Sequence, residues 1–304
     1  MQPRLLTDSD VIRLARPDQA VACMTDALVA AAADRLASPP RAAAAIGNDR
    51  IVLTAGSTAH TYGYRVYDTL DTPSSEQVVV ALDRPSGRVL AVAVGTQLGA
   101  LRTGALGGAA ARLLGPADGP VTIGVVGAGS QAWTQLWAMA AVHDVASVRI
   151  ASRTEASRRS LAERVRKELG IPAVAVSTAA EAVRGAPIVV LATTSDQPVI
   201  DSSWLADDVL VVTLGHKQVG RAEFDLSLLD DAVLITTDSP EQLRSYDPPA
   251  LVAAAGRAGE VVHLGDVAAG TVPAARTGRR VHLSVGLAGT EPLLLRMLAA
   301  DSAG

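Results

Sequence analysis

The chain has 304 residues, 49% of them apolar and 19% charged, a balance typical of a soluble globular protein long enough for two domains. The formal net charge is −4, and no basic stretch runs along the chain, which argues against nucleic acid as a partner. A single cysteine, Cys23, excludes an internal disulfide and a thiolate metal cluster. Because Cys23 lies in an apolar helical pattern, we predict that it is a small core residue.

Neither a secretory signal nor a membrane span is predicted. The first residues, MQPRLLTDSD, lack the apolar region of a signal peptide, and the apolar runs elsewhere are short and interrupted. We therefore expect a cytoplasmic protein that does not bind membranes.

The first part of the chain predicts helices followed by strands. Residues 5–35 have apolar positions at helical spacing, with Thr7 or Asp8 as the cap of a first helix and Pro17 in the first turn of a second. Beyond them the pattern changes to period two, and residues 83–87 form a hairpin turn. The predicted strands are 51–54, 63–69, 77–82 and 89–94, followed by a small-residue helix over 98–114.

The turn-rich segment 116–120, PADGP, is the clearest boundary signal in the chain. After it, strands and helices alternate, which predicts a parallel sheet covered by helices on both faces. The predicted strands are 121–126, 148–151, 172–176, 187–192, 209–214, 231–237 and 280–286, and the predicted helices are 133–142, 155–169, 179–184 (capped by Ser177) and 287–300.

A dinucleotide-binding motif opens this second part. The segment GAGSQA, residues 127–132, follows an apolar strand and begins a helix, which is the order found in the first unit of a Rossmann fold. Gly127 allows the tight turn, Gly129 lets a pyrophosphate approach the backbone, and Ala132 lets the helix pack near the strand. Ser130 and Gln131 lie at the helix start, where free N–H groups face phosphates.

The end of the second strand of this fold indicates which nicotinamide cofactor is bound. An acidic residue there accepts hydrogen bonds from the ribose 2′-hydroxyl of NAD. Here the strand ends in Ser152-Arg153-Thr154, and these donors suit a 2′-phosphate. We predict a preference for NADP(H), with NAD(H) as the alternative if Arg153 only stacks on the adenine or faces solvent.

Several motifs together, in this order, resemble the ornithine cyclodeaminase/mu-crystallin family, which includes ketimine reductases and alanine dehydrogenases. The resemblance covers essentially the whole chain. It rests on Pro40-Arg41, Gly63-Tyr64-Arg65-Val66, Leu101-Arg102-Thr103, the motif at 127–132, Ala192-Thr193-Thr194-Ser195 with Pro198, Glu223 and Asp225, and Ser284-Val285-Gly286-Leu287-Ala288.

The resemblance implies a homodimer of two-domain subunits. Residues 1–117 with 286–304 would form an α+β substrate-binding and dimerisation domain, and residues 118–285 an NAD(P)-binding α/β domain with a doubly wound, Rossmann-type parallel sheet. Arg41, Arg65 and Arg102 would hold the carboxylate of a small imino or amino acid, because an arginine fork fixes the plane of a carboxylate. The implied cofactor contacts also include Thr103, Thr193, Thr194, Ser195, Leu214 and Gly215.

Two departures from the family pattern bear on catalysis. Arg65 stands where the family has a lysine, and arginine keeps its charge, so proton transfer there is in doubt. His216 and Lys217 follow Gly215 where the cyclodeaminases have an aspartate. His216 could protonate an imine nitrogen, or it could only line the nicotinamide pocket. Lys217 could also donate a proton or bind a carboxylate, although we expect it to be exposed.

The predicted function is an NADP(H)-dependent imine (ketimine) reductase or amino-acid dehydrogenase, with His216 and Arg65 as candidate catalytic residues. Two alternatives remain: a cyclodeaminase that releases ammonia with tightly bound NAD, and a cofactor-containing, mu-crystallin-like binding protein without turnover. The remaining histidines have no metal-ligand spacing, so no metal is expected. Asp266 and Glu291 are assigned no role.

Overall fold

The computed structural model describes residues 2–70 and 72–301. The chain forms two compact units, one with residues up to Arg102 and from Gly286 onward, the other comprising Thr103–Val285. The second boundary coincides with the predicted domain division at 285/286. The first falls inside helix α3 (Gln97–Leu114) rather than in the turn-rich segment 116–120. The assignment of a substrate domain and a nucleotide domain to these units stays a prediction.

The first unit is built on a six-stranded sheet in the order β1-β6-β5-β4-β3-β2. All neighbouring strands are antiparallel except β1 and β6, which are parallel. The strands are β1 (Arg4–Leu6), β2 (Ala42–Ile46), β3 (Asp49–Ser57), β4 (Thr61–Asp68), β5 (Gln77–Asp83) and β6 (Val89–Gly95).

Three further helices belong to this unit: α1 (Asp8–Leu14), α2 (Pro17–Ala32) and α10 (Thr290–Asp301). The Thr7 N–H donates to the Asp10 carboxylate at the start of α1, and Pro17 is the first residue of α2, so both predicted helix starts are confirmed. The prediction that residues 5–35 are helical missed β1, a strand too short to show a period. Cys23 is half-buried rather than in the core, and burial raises its pKa to about 12.

One face of the sheet in the first unit is covered, and the other is exposed and apolar. Helix α10 packs across β4, β5 and β6. The strand register places Leu53, Val66 and Val78 side by side on one face. Leu53 is 40% exposed, and Ile51, Tyr64 and Val78 on the same face are similarly open. Large apolar side chains that lie exposed and side by side on one sheet face are a common mark of an interaction surface.

The second unit is built on an eight-stranded, wholly parallel sheet in the order β15-β14-β16-β11-β10-β7-β8-β9. The predicted parallel sheet is therefore confirmed. Its strands are β7 (Val121–Val126), β8 (Val145–Ala151), β9 (Ala173–Ala175), β10 (Ile188–Leu191), β11 (Val209–Thr213), β14 (Ala232–Thr237), β15 (Val261–His263) and β16 (Arg279–Leu283).

The remaining elements of the second unit connect these strands. The helices are α4 (Ser130–Met139), α5 (Glu155–Leu169), α6 (Ala179–Val183), α7 (Pro240–Arg244), α8 (Leu251–Ala254) and α9 (Leu264–Ala268), with 3-10 turns at Ser202–Trp204, Leu226–Leu229 and Ala258–Glu260. A two-stranded ribbon joins β12 (Lys217–Gln218) to β13 (Arg221–Ala222). The ribbon, β15 and helices α7 to α9 were not predicted, since each is too short to establish a period.

The cap of one predicted helix and the start of another are wrong. The cap of α6 is Thr178 rather than Ser177, because the Thr178 hydroxyl accepts from the Glu181 N–H while the Glu181 carboxylate accepts from the Thr178 N–H. The last helix begins at Thr290 rather than at residue 287. Gly286 and Gly289 have φ angles of 85° and 82°, so the chain turns before the helix can start.

Candidate functional site

The glycine motif forms a turn with open space over its second glycine. Strand β7 ends at Val126, and Gly127 has a φ angle of 115°. A Cβ on Gly127 would lie 2.1 Å from the Ala192 carbonyl oxygen, so only glycine fits. A Cβ on Gly129 would meet no atom within 4 Å. Because Gly129 also caps helix α4, its open side leads to the free N–H groups of the helix start, an arrangement that fits a pyrophosphate.

A cavity of about 720 Å³ lies over this turn and the ends of neighbouring strands. It brings together most of the residues predicted for cofactor binding, and it adds Ser157 and Arg158 from helix α5. The predicted residues in its wall are Gly127, Gly129, Ser152, Arg153, Thr154, Thr193, Thr194 and Ser195. Its size and shape suit the adenosine and pyrophosphate portions of a dinucleotide.

The wall beyond strand β8 is rich in hydrogen-bond donors and basic groups. Ser152, Arg153, Thr154, Ser157 and Arg158 line the cavity here, and no Asp or Glu is among the described lining residues. The Arg158 guanidinium donates to the Ser152 carbonyl at 3.3 Å, which holds it at the strand end. Thr154 caps helix α5, so a further helix start with its partial positive charge contributes to this wall.

The other residues predicted for cofactor binding lie outside the cavity wall. Ala132 is fully buried, in keeping with close packing of α4 on the sheet. The Thr103 carbonyl accepts from the Gln135 side chain at 3.0 Å, which ties α3 to α4. Ser130 is exposed in the first turn of α4, and Gln131 beside it is half-buried. Leu214 and Gly215 follow strand β11 and are half-buried. The roles of these residues as cofactor contacts stay predictions.

A buried carboxylate joins the loops that follow β10 and β11. Glu223 is fully buried, and its Oε2 accepts from the Thr193 N–H at 3.0 Å and the Thr193 hydroxyl at 2.8 Å. Its Oε1 accepts from the Gly215 N–H at 2.5 Å. One side chain therefore satisfies three donors from the carboxyl ends of two adjacent strands, where ligands bind in open α/β sheets.

His216 is half-buried and has an acidic neighbour. Its Nδ1 lies 3.2 Å from Asp196 Oδ1, within ion-pair distance, although the angles do not form a hydrogen bond. Arg221 donates to the same Asp196 oxygen at 2.5 Å.

Lys217 is 3% exposed rather than exposed as predicted, because the β12–β13 ribbon folds it inward. Its Nζ donates to the Gly215 carbonyl at 2.6 Å.

Asp238 and His282 are two further buried polar residues, and Lys217 acts electrostatically on His282. Asp238 accepts from the Ser284 hydroxyl and the Val285 N–H, both at 2.9 Å. The His282 ring contacts the Thr236 hydroxyl at 3.0 Å. Complete burial lowers the pKa of His282 to about 4, a shift that Asp238 opposes and Lys217 reinforces. His282 is therefore neutral in the folded protein at neutral pH.

In the first unit, the predicted arginines meet around a carboxylate. Arg65 and Arg102 both donate to Glu291 Oε1, with an Arg65 distance of 3.0 Å. Burial acts to raise the pKa of Glu291, but Arg102 and Arg65 outweigh it and lower that pKa. Glu291 is thus ionised, and its contacts with both arginines were not predicted from the sequence. Two guanidinium groups and one carboxylate leave a net positive charge within this cluster.

The two arginines differ in what else they contact. Arg65 also donates to the Gln77 side chain at 2.9 Å, and it lies 4.3 Å from the centre of the Tyr67 ring. Arg102 is 6% exposed, and its Nε and Nη1 have no hydrogen-bond partner among the described residues. Arg41 is exposed and approaches the same place, since a Cβ on Gly286 would lie 3.1 Å from Arg102 and 3.8 Å from Arg41.

Two kinds of feature are absent from the described residues. Across residues 2–70 and 72–301, no group of three or more His, Cys, Asp or Glu side chains could hold a metal ion. In the same part of the chain, no helix is both long and apolar enough to span a bilayer.

The family model described as "Ornithine cyclodeaminase/mu-crystallin family" matches residues 1–298. The chain belongs to this family. The resemblance that the motifs predicted is therefore confirmed over almost the whole sequence.

The curated relatives of the chain have several activities. An uncharacterized cyclodeaminase, y4tK of Sinorhizobium fredii, is 33% identical over 47% of this chain and 43% of its own length. A putative dehydrogenase of Rhizobium meliloti, RB0419, is 29% identical over 79% of this chain and 76% of its own. A Δ1-pyrroline-2-carboxylate reductase of Bacillus cereus is 30% identical over 48% and 45%. Family membership thus leaves the reaction open.

Solved structures confirm the predicted fold class, a Rossmann-type sheet with a second α+β part. A Thermococcus litoralis Δ1-pyrroline-2-carboxylate reductase in complex with NADH and L-proline has a TM-score of 0.89 at 23% identity, over 98% of this chain and 97% of that chain. An archaeal alanine dehydrogenase dimer with bound NAD has a TM-score of 0.88 at 23% identity, over 99% and 96%.

The sequence did not predict the contacts that four residues make in these sites: Arg158, Lys217, Glu223 and Glu291. Arg158 could have been found, because it is one helical turn beyond Thr154 on the helix that begins at the cofactor motif. Lys217 lies in the β12–β13 ribbon and Glu223 directly follows it, and this ribbon is too short to predict. Glu291 is 226 positions from Arg65, and its place in the last helix gives no sign of its partners.

Proposed function

We propose that the protein is an NADP(H)-dependent imine (ketimine) reductase or amino-acid dehydrogenase that acts on a small 2-imino or 2-amino acid at its α-carbon. The observation that carries the proposal is the buried cluster of Arg65, Arg102 and Glu291, in which positive charge exceeds negative charge. Buried excess charge is costly unless a counter-ion neutralises it, and the carboxylate of such an acid would do so. A bound nicotinamide would supply or accept the hydride.

The three arginines have different roles in this proposal. Arg102 has two buried guanidinium nitrogens, Nε and Nη1, without a hydrogen-bond partner among the described residues, and Arg41 lies beside it near Gly286. These two would bind the substrate carboxylate. Arg65 already donates to Gln77 through Nε and to Glu291 through Nη1. It would therefore bind the substrate carboxylate through its remaining guanidinium nitrogen and keep Glu291 in place. His216 would donate the proton to the imine nitrogen.

The reaction can be tested by NADPH oxidation over a panel of 2-imino acids, including a cyclic imine and pyruvate with ammonia. We expect turnover, and we expect Arg102→Lys to lower kcat/KM about 100-fold, because lysine cannot hold a carboxylate through two parallel bonds. Arg159→Ala is the control, since Arg159 is exposed and its ion pair is with Glu155, one turn earlier in α5.

Other outcomes would select another function. Ammonia release from ornithine or lysine without net NADPH consumption would replace the proposal with a cyclodeaminase, the activity in the name of one relative. Tight binding of NADPH and an imino acid without turnover would indicate a binding protein. NADPH oxidation that Arg102→Lys leaves unchanged would contradict the carboxylate role.

The preference for NADP(H) rests on the wall beyond β8. Arg153 and Arg158 line this wall together with Ser152 and Thr154, and these groups can surround a 2′-phosphate. We expect wild-type protein to favour NADPH, and Arg153→Ala or Arg158→Ala to weaken NADPH binding about 10-fold or more while NADH binding changes little. Arg159→Ala again serves as the control. Equal losses for both cofactors would contradict a 2′-phosphate site.

We also propose a homodimer that buries the exposed sheet face of the first unit. Leu53, Tyr64 and Val78 make this face apolar, and covering it with a second copy would remove it from water. Leu53→Glu should convert a dimer to a monomer in light scattering after gel filtration. Val174→Glu, at an exposed apolar position of the other unit, is the control. A monomeric wild type, or a dimeric Leu53→Glu, would contradict this interface.

A further inference from the structure

The order of strands in the second unit assigns the two halves of a dinucleotide to different strands. Strand β8 lies on one side of β7, and β10 followed by β11 lies on the other. The wall with Arg153 and Arg158, suited to the adenosine phosphate, is at β8, and the pyrophosphate turn follows β7. The nicotinamide half then extends over the carboxyl ends of β10 and β11. Thr193 and Gly215 lie at those ends, where Glu223 joins them.

Glu223 is bonded through its side chain and its backbone to the loops that follow β10 and β11. Its carboxylate accepts two bonds from Thr193 and one from Gly215. Its backbone N–H donates to the His216 carbonyl at 2.9 Å, and its carbonyl accepts from the Val199 N–H at 2.9 Å. A Cβ on Gly215 would lie 2.4 Å from both Glu223 Oε2 and the Thr193 carbonyl, so the two loops are in close contact.

The Gly215 residue is held by opposite charges on its two polar backbone groups. Glu223 accepts from its N–H, and the Lys217 ammonium donates to its carbonyl. Both charged side chains are at least 97% buried, so water does not screen these bonds. The orientation of the chain leading into His216 is therefore set by charged side chains rather than by regular secondary structure.

We propose that Glu223 is a positioning residue for the nicotinamide half of the cofactor. It fixes the distance between Thr193 and Gly215, and these residues would form the surface that the nicotinamide contacts. It also sets the direction in which the chain runs from the end of β11 to His216. The proposal rests on the proposed function for the identity of the ligand. Glu223 is expected to affect binding of the nicotinamide half of the cofactor and not binding of the adenosine half.

The test compares two ligands in calorimetry. NADPH reaches both halves of the site, and 2′,5′-ADP reaches only the adenosine half. In Glu223→Gln, which keeps the size of the side chain but presents N–H groups to donors, we expect NADPH binding to weaken about 10-fold and 2′,5′-ADP binding to stay within about twofold. NADH with ADP-ribose is the equivalent pair if NADH is preferred.

Two further variants support the comparison. Thr193→Val removes the hydroxyl bond to Glu223 at 2.8 Å together with a longer bond, 3.3 Å, that the same hydroxyl accepts from the Ser195 N–H. It should show the same split to a smaller degree, and it provides the test if Glu223→Gln folds poorly. Asp225→Asn is the matched control, because Asp225 is exposed and caps the 3-10 turn at Leu226–Leu229. It should leave both ligands unchanged.

Catalysis provides a second measurement. In Glu223→Gln, kcat should fall about 100-fold while KM for the imino acid changes little, since a displacement near 1 Å costs rate more than binding. Equal weakening of both ligands, or no weakening of NADPH binding, would overturn the proposal. If the wild type reduces no imino acid but the split between the two ligands persists, the proposed reaction fails and the role of Glu223 stands.

Discussion

Replacing Glu291 by glutamine should destabilise the protein strongly and in a pH-dependent way. Glu291 has a side chain 0% exposed, and its two partners, Arg65 and Arg102, have side chains 14% and 7% exposed. Solvent screening of these contacts is therefore slight. Removing the carboxylate leaves two buried guanidinium groups without their shared counter-ion, and the loss of one partner of such a cluster costs about 3–5 kcal/mol of unfolding free energy.

The pH dependence follows from the lowered pKa of Glu291. A carboxyl group whose pKa in the folded state lies below its ordinary value of 4.5 stabilises the fold fully above that value. The stabilisation is lost as the pH falls through the folded-state pKa. The difference between wild type and Glu291→Gln should thus be constant between about pH 6 and pH 8, and it should shrink below about pH 4.5.

Urea unfolding followed by far-ultraviolet circular dichroism is the assay. Tryptophan fluorescence would not suffice, because Trp133, Trp137 and Trp204 are all in the second unit and Glu291 is in the first. Glu260→Gln is the control, since Glu260 pairs with Arg257 at the surface and should matter far less. A loss under about 1 kcal/mol at pH 7, or a difference that stays constant down to pH 3, would refute the reasoning.

Two further predictions address the second unit. Gly129→Ala should lose at most about 1 kcal/mol of unfolding free energy, because its Cβ meets no atom within 4 Å and alanine is only a poorer helix cap than glycine. It should nevertheless weaken NADPH binding in calorimetry. Gly127→Ala should lose about 1–3 kcal/mol in urea unfolding from backbone strain alone, and equal losses of stability in the two variants would contradict the turn geometry. His282 stays neutral in the fold but gains a proton on unfolding below its ordinary pKa of 6.5, so stability should fall by about 2 kcal/mol between pH 7 and pH 5. His282→Asn should remove that part of the slope, and an unchanged slope would refute the assignment.

Long periodic segments were predictable from the sequence, and short ones were not. Helix α5 has the predicted bounds, because a capping residue, a 3.6-residue apolar period and a closing glycine all agree at Thr154 and Gly170. Strand β10 is a continuous apolar run and was found within a residue at each end. By contrast, β1 and the β12–β13 ribbon have two or three residues per strand and are defined by their pairing partners, which the local sequence does not contain.

The same distinction holds for the sites. Gly127, Gly129 and the Ser152–Arg153–Thr154 group line one cavity, and this grouping could be predicted because each belongs to a short continuous motif that follows a strand. Lys217 was expected to be exposed because a lysine in a turn usually is. Its burial depends on Gly215, whose carbonyl needs a donor, and on a ribbon that folds it back toward that carbonyl. Such contacts depend on the folded chain and cannot be inferred from spacing.

Glu291 changes the interpretation of Arg65. If Arg65 only replaced a proton-transferring lysine, its loss of acid–base capacity would be a deficit. The structure instead gives Arg65 several simultaneous contacts, with Gln77, Glu291 and the Tyr67 ring. A lysine ammonium is a compact point charge and cannot make the same fork and stacking contacts. The arginine therefore suits a residue that anchors the Glu291 carboxylate, and Arg102, which shares that carboxylate, is left with the unpartnered N–H groups that a substrate carboxylate would need.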